Sequence, residues 1–274
     1  MKSKTEIAEQ QQSFIDGLKQ QTIDFLYTID KTKIETILLS GSVARGDFFP
    51  GKFDGMIDLT VMKRQGTEAV AEDIFGKDED KEIPFHCIKR NGLWYSINFV
   101  DFITAECFKQ MKIPERNALL ESKILYDPNH KYEDELMQIN MWSQMDLKKQ
   151  LHEEFRYMIY LLGTYKVDRW NRRQAYLQMN ENLNAAIRTA IHCLYYINGL
   201  YWSAEDRNLY YSLSLEKLPE NYSRIIVELC TQTPDNEKDY YRRESLFKCE
   251  ILRFIEQFIR LKCVSFPRWT RESF

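Results

Sequence analysis

The feature that most constrains the fold is an apolar run that ends in a small-residue turn and is followed by a second apolar run. The first run ends at Leu39, and residues 40–46 then read Ser-Gly-Ser-Val-Ala-Arg-Gly. The second run, residues 57–61, reads Ile-Asp-Leu-Thr-Val and carries Asp58. Short apolar runs bounded by glycine are typical of buried strands. The pattern predicts a strand, a glycine-containing turn, a short helix and a second strand.

The predicted turn has the groups that an anion requires. Gly41 has no Cβ, so a ligand can come close to the backbone there. A helix that begins just after this glycine would direct unpaired N–H groups at an anion such as phosphate. Ser42 adds a hydroxyl donor, and Asp58 could bind the cation that phosphate groups also require. These residues predict phosphate binding at the end of the first strand.

The run Gly-Ser-x-Ala-Arg-Gly, followed by an aspartate-containing apolar strand, resembles the polymerase-beta-type nucleotidyltransferase superfamily. Within it, the chain is similar to bacterial enzymes that adenylylate antibiotics such as aminoglycosides and lincosamides. The resemblance implies an enzyme that moves a nucleoside monophosphate, AMP in those enzymes, from a nucleoside triphosphate to a hydroxyl of a small molecule. It also implies ATP or another triphosphate as co-substrate and one or two Mg²⁺ ions at the site.

One residue departs from the superfamily pattern, in which the second strand usually reads Ser-Asp-x-Asp-Leu. The aligned residues here are Gly-Met-Ile-Asp-Leu, so Met56 stands where the first metal-binding carboxylate is expected. A thioether is a poor ligand for Mg²⁺. Asp54 has the same strand parity as Asp58, but four extended residues separate their Cα atoms by ~13 Å. Asp54 could share the ions only if a bulge or turn at Gly55 brings it back.

A third carboxylate is predicted at the end of a hairpin. Residues 84–90 and 93–102 flank Asn91-Gly92, a pair favoured in tight two-residue turns. Asp101 lies near the end of the second strand, and a carboxylate in an apolar strand is unfavourable unless it is paired or metal-bound. The resemblance implies that Asp101 lies beside Asp58. The predicted catalytic and metal-binding residues are therefore Asp58, Asp101 and Asp54.

The predicted nucleotide-binding residues are Gly41, Ser42, Arg45, Gly46 and Arg207. Arg207 is included because residues 202–207 resemble a segment that lines the cleft in related antibiotic transferases. The alternative interpretation of Arg207 is an exposed arginine at the start of a helix. Glu153, Glu154 and Glu181 are candidates for a general base by location only, and solvated helix-face charges are the alternative.

Beyond Pro128 the sequence has helical periodicity, in segments 131–163, 168–198, 205–218, 221–230 and 237–264. Gly199 is placed to end the second of these. The predicted fold class is α+β, with a nucleotidyltransferase-type mixed sheet and flanking helices in residues 1–130 and an all-α helical bundle in residues 131–274. A ligand cleft is expected between the two halves.

Arg188 and His192 lie one helical turn apart in the second of these segments. Helical ribonuclease domains that accompany nucleotidyltransferases in toxin–antitoxin pairs use an Arg and a His at slightly wider spacing. The face around these two residues is apolar, which favours packing as their role.

The composition limits the classes of partner and the cellular location that we expect. With 38 basic and 41 acidic side chains the net charge is −3, which disfavours a nucleic-acid partner. The six cysteines include no CxxC pair, and the chain has no apolar run of the ~20 residues that a membrane span requires. The expected location is cytoplasmic, and a homodimer is left open. Three interpretations remain: an active transferase, a catalytically impaired fold that binds nucleotides or proteins, and an antitoxin-like transferase, which the long helical half disfavours.

Overall fold

The computed structural model describes residues 4–48 and 55–261. The fold is α+β, as predicted, with a five-stranded mixed sheet followed by a helical region. The chain divides into two units, Met1–Ser143 and Gln144–Phe274. This division falls inside a long helix that begins at Lys131, so the predicted boundary near residue 130 stays a prediction.

The helices of the first unit flank the sheet. They are α1 (Lys4–Tyr27), α2 (Gly41–Arg45), α3 (Ala71–Phe75), α4 (Ala105–Gln110), α5 (Ile113–Glu121) and the start of α6 (Lys131–Leu161). The strands are β1 (Ile34–Ser40), β2 (Met56–Lys63), β3 (His86–Arg90), β4 (Leu93–Val100) and β5 (Lys123–Tyr126).

The sheet has the strand order β3-β4-β2-β1-β5, in which β2 and β4 are parallel and the other neighbours are antiparallel. β1 and β2 are the strands with the predicted apolar runs, and Ile34–Leu39 are all buried because both faces of this inner strand are covered. Side chains of α1, among them Leu18 and Phe25, belong to the same core as Leu39 and Leu59.

Successive strand residues point to opposite faces. Leu39 and Leu59 share a core with α1, so Ser40 and Asp58 point to the other face of the sheet. The sheet therefore presents Asp58 away from α1, at the point where β1 runs into α2.

The hairpin prediction is confirmed. Asn91 and Gly92 connect β3 and β4 with φ values of 52° and 83°, the positive values that a two-residue turn of this kind requires. Both strands are shorter than predicted, and β4 ends at Val100, one residue before Asp101.

The second unit is helical among its described residues. Beyond α6 it contains α7 (Thr164–Asn171), α8 (Tyr176–Ile197), α9 (Asn208–Ser212), α10 (Tyr222–Cys230), α11 (Glu237–Leu246), a π-helical segment (Phe247–Leu252) and α12 (Arg253–Leu261). α8 packs against α7, α9, α11 and α12 and is the central helix of this unit. None of the helices in the described part of the chain has the length and apolar character needed to cross a membrane.

Two of the predicted helices differ from the structure. The segment predicted as one helix over 168–198 is α7 and α8, because the chain turns between them at Gln174, which has a φ of 53°. Of the helix predicted over 205–218, the structure has the shorter α9, Asn208–Ser212. The predicted end of α8 is confirmed, since Gly199 follows it with a φ of 75°.

Candidate functional site

A short row of polar side chains crosses the sheet at Asp58. In the strand register, Asp58 pairs with Ser40 of β1 and with Ser96 of β4. Residues paired in this way point to the same face. The Ser40 hydroxyl lies 3.1 Å from that of Thr60 and 2.8 Å from that of Ser122. Asp58 is thus a half-buried carboxylate among hydroxyl groups.

The Asp58 carboxylate lies directly against the backbone of the turn between β1 and α2. Gly41 has a φ of 66°, and a Cβ added to it would lie 2.0 Å from Asp58 Oδ2. No other residue fits there without moving Asp58. The sequence predicted that Gly41 leaves room for a ligand, and in the structure the room is taken by the carboxylate of Asp58.

The other turn residues have local roles. α2 has five residues, so its N–H groups offer little more than one turn to an anion. Ser42 is half-exposed in this turn. Gly46 ends α2 with a φ of 80° and donates its N–H to the Val43 carbonyl at 3.3 Å. Contacts of Ser42 and Gly46 with a nucleotide stay predictions.

Arg45 takes part in an ion-pair cluster at the end of α2. Its side chain is only 9% exposed, and its Nε lies 3.3 Å from Oδ1 of the almost fully buried Asp47. One of its terminal nitrogens lies 3.7 Å from Oε2 of Glu121, at the end of α5. These pairs connect α2 with α5, which is a structural role. The predicted contact of Arg45 with a nucleotide stays a prediction.

Asp101 is not beside Asp58, so the prediction that the two carboxylates share an ion is wrong. Its side chain is 91% exposed, and its Oδ1 forms an ion pair with Lys63 Nζ at 2.7 Å. Asp58 pairs with Ser96, and Val100, just before Asp101, lies four residues further along β4, or ~13 Å. The β4 neighbour of Asp58 is the uncharged Ser96.

Met56 precedes Asp58 by two residues and points to the same face, as the alignment predicted. Asp54, which could share the ions if a bulge or turn brings it back, lies outside the described residues. Within residues 4–48 and 55–261, no group of three or more His, Cys, Asp or Glu side chains could hold a metal ion. The donors at Asp58 suit one Mg²⁺ that takes most of its ligands from phosphate and water. They do not suit a pair of ions.

Arg207 lies in the second unit, at the start of α9. Its guanidinium donates to the carboxylate of Asp206 at 3.1 Å through both Nε and a terminal nitrogen, and both side chains are substantially exposed. The alternative interpretation, an exposed arginine at a helix start, matches this placement. A contact of Arg207 with a nucleotide stays a prediction.

His192 is buried, as the packing interpretation predicted. Its ring stacks on Trp202 with centroids 4.2 Å apart and planes 8° from parallel. Its Nδ1 lies 3.3 Å from Glu154 Oε1, and its Nε2 lies 3.7 Å from Glu205 Oε1. No sequence pattern indicates this arrangement, because the two carboxylates come from segments far apart in the chain. Of the three general-base candidates, Glu154 is the one whose carboxylate contacts His192.

No family model matches the chain, and none of the curated proteins matches it. Among solved structures, the chain is similar to a nucleotidyltransferase-like protein from Exiguobacterium sibiricum 255-15, with 11% sequence identity and a TM-score of 0.40. The match covers 91% of this chain and 75% of that chain. At this level of likeness, neither a shared family nor a shared activity is established.

Proposed function

We propose that the first unit binds a nucleoside triphosphate together with one Mg²⁺ ion at the turn between β1 and α2, without the two-ion chemistry of an active nucleotidyltransferase. The observation that supports the proposal is the position of Asp58. Its carboxylate lies against Gly41, at the turn for which the sequence predicts phosphate binding.

The proposed binding depends on a cation. A triphosphate and the Asp58 carboxylate are both negative, so at short range they repel each other in the absence of a counter-charge. Mg²⁺ is commonly bound by one or two carboxylates together with substrate phosphates. When bound, it would neutralise charge on the phosphate oxygens. Asp58 would hold the ion, and the hydroxyl of Ser42 would be available to phosphate oxygens or to bound water.

The donor set also supports the absence of turnover. Two-metal sites hold their ions about 3.5–4 Å apart with shared carboxylates. The described face offers Asp58 alone, with Met56 at the position of the first carboxylate and Ser96 beside it on β4. Neither a thioether nor a single hydroxyl replaces a carboxylate as a Mg²⁺ ligand.

A second candidate function is adenylyl transfer to a hydroxyl of a small molecule, of the aminoglycoside or lincosamide type. It is favoured by the β1–turn–α2–β2 order with Asp58 at the turn, which the sequence resemblance implied. It requires a further carboxylate, for which Asp54 is the candidate by sequence.

Heat denaturation of the full chain tests the proposed nucleotide binding. We expect ATP to raise the Tm in Mg²⁺ and to leave it unchanged in EDTA, since a ligand at 100 times its Kd stabilises by about 2.7 kcal/mol. The Met56→Asp variant should bind Mg²⁺–ATP more tightly, whereas Met137→Asp, which adds the same charge to an exposed site on α6, should not.

Two outcomes contradict the proposal: equal stabilisation by ATP in Mg²⁺ and in EDTA, or no stabilisation by any nucleoside triphosphate. Release of pyrophosphate by the unaltered chain in the presence of an aminoglycoside or a lincosamide would instead establish the second candidate.

A further inference from the structure

The second unit contains a cavity of about 330 Å³ between α8, α9, α10 and α11. Its apolar wall consists of Ile187, Ile191, Leu209 and Leu229. Its polar lining includes Arg188, Asn208, Gln232 and Arg243. The cavity lies outside the site at Asp58.

Arg243 forms the floor of the cavity and is completely buried. Its Nε donates to the Leu229 carbonyl at 2.8 Å, and its terminal nitrogens donate to the side-chain oxygens of Asn180, Asn184 and Gln232 at 2.5–3.0 Å. All four acceptors are neutral, and no ion pair of the described residues involves this guanidinium.

Burial lowers the pKa of Arg243, yet an arginine side chain stays charged in proteins. A buried charge without an opposite charge is unfavourable, because neutral oxygens replace only part of its hydration. The floor of the cavity therefore carries a positive charge that no carboxylate of the described residues neutralises by direct contact.

Asn208 supplies a hydrogen-bond donor that has no acceptor among the described residues. The residue is only 5% exposed, and its Oδ1 accepts from the Ser203 hydroxyl at 3.1 Å. Its Nδ2 is buried and makes no hydrogen bond to the part of the chain that the structure describes. Buried donors almost always have a partner, so an unpaired one in a residue that lines a cavity points to an absent acceptor.

Two further donors border the same space. Arg188 lies one turn of α8 before His192, and its exposed side chain lines the cavity. The Gln232 side-chain oxygen accepts from both Arg243 and Asn184, which leaves its NH₂ group to donate elsewhere. The carboxylate among the lining residues is that of Glu205, and it lies 3.7 Å from His192 Nε2.

We propose that this cavity binds a small organic anion, whose charged oxygens accept from Asn208 Nδ2 and Arg188 and whose apolar body packs against Ile187, Ile191 and Leu209. Two guanidinium groups against one carboxylate give the cavity a net positive lining. Charge-assisted hydrogen bonds from arginine to carboxylate or phosphate are the strong ones. This inference goes beyond nucleotide binding in the first unit and does not depend on it.

Calorimetric titration of the full chain with four aromatic probes tests the anion preference. Benzoate and phenyl phosphate share an anionic head on a ring, benzyl alcohol is the neutral control, and benzylamine is the cationic control. We expect both anions to bind at least tenfold more tightly than benzyl alcohol and benzylamine to show no binding. Equal binding of anions and alcohol, or no binding of either anion, would overturn the proposal.

Substitutions then locate the site. Arg188→Gln should weaken binding of the anions about tenfold, which corresponds to the loss of about 1.4 kcal/mol. Asn208→Leu, which removes the unpaired donor at similar volume, should weaken it similarly. Arg172→Gln, which removes an exposed arginine just after α7 and outside the cavity, should leave affinity unchanged.

Because Asn208→Leu could perturb folding, the comparison of Arg188→Gln with its control Arg172→Gln decides where the anion binds. Arg188 is exposed, so its replacement should leave the Tm of the free protein unchanged. Anion affinity that falls equally in Arg188→Gln and Arg172→Gln, or in neither, contradicts a site in this cavity.

Discussion

The two units both place a charged side chain beside space that a ligand could use, but they hold it in different ways. Asp58 is half-buried at the end of a turn, and the space it occupies exists because residue 41 is a glycine. Arg243 is completely buried, and neutral oxygens of four other residues hold its guanidinium. The first arrangement depends on backbone geometry and the second on a side-chain network.

This difference predicts where substitutions act. At Asp58 the charge is partly open to solvent, so its removal should affect ligand binding more than folding. At Arg243 every acceptor loses its partner when the guanidinium is removed, and unpaired buried acceptors are destabilising.

Arg243→Lys should destabilise the protein by about 3 kcal/mol, because a single ammonium cannot reach four acceptors arranged for a planar guanidinium. Arg224→Lys is the matched control, since Arg224 is exposed and its partner among the described residues is Glu228 on the same helix. It should change stability by less than about 0.5 kcal/mol. Urea unfolding measures the stability of both variants. A loss of stability of similar size in the two would show that the buried network contributes no more than the surface ion pair.

Gly41→Ala should destabilise the protein by about 2–3 kcal/mol, because the added methyl strains a positive φ and displaces Asp58. Gly46→Ala has the same backbone strain, with a φ of 80°, but among the described residues no atom lies within 4 Å of the added Cβ. It should lose only about 1–2 kcal/mol. Thermal unfolding compares them, and combining Gly41→Ala with Asp58→Ala should recover the difference. Equal losses for the two glycines would contradict the close approach of Asp58.

Asp101→Asn should have the smallest effect. Exposed ion pairs such as that between Asp101 and Lys63 contribute at most about 1 kcal/mol, and often nothing measurable. The same thermal unfolding measurement checks this variant. A large loss of stability would mean that Asp101 has partners beyond Lys63.

The local parts of the fold could be predicted from the sequence. β1, β2 and the Asn91-Gly92 hairpin follow from apolar runs and turn residues that are neighbours in the chain. The register of β2 against β4 could not, because paired residues of these parallel strands, such as Asp58 and Ser96, are 38 positions apart in the chain and no turn fixes their alignment. The error on Asp101 arose there, since the strand was expected but the position opposite Asp58 proved to be Ser96.

The network in the second unit was not predictable for the same reason. Asn180 and Asn184 lie one turn apart on α8, but Gln232 and Arg243 come from later segments. The sequence alone does not show that these side chains meet around a buried charge. Asn208 could not be singled out either, because an unpaired donor is visible only once its surroundings are known.

The most direct test of the site at Asp58 is calorimetric titration of ATP into Asp58→Asn and Asp101→Asn at fixed Mg²⁺. Both variants remove one carboxylate charge, but only Asp58 lies at the turn. We predict that Asp58→Asn abolishes the Mg²⁺-dependent part of ATP binding and that Asp101→Asn retains the affinity of the unaltered chain. Loss of Mg²⁺-dependent binding in Asp101→Asn, or its retention in Asp58→Asn, would contradict the account.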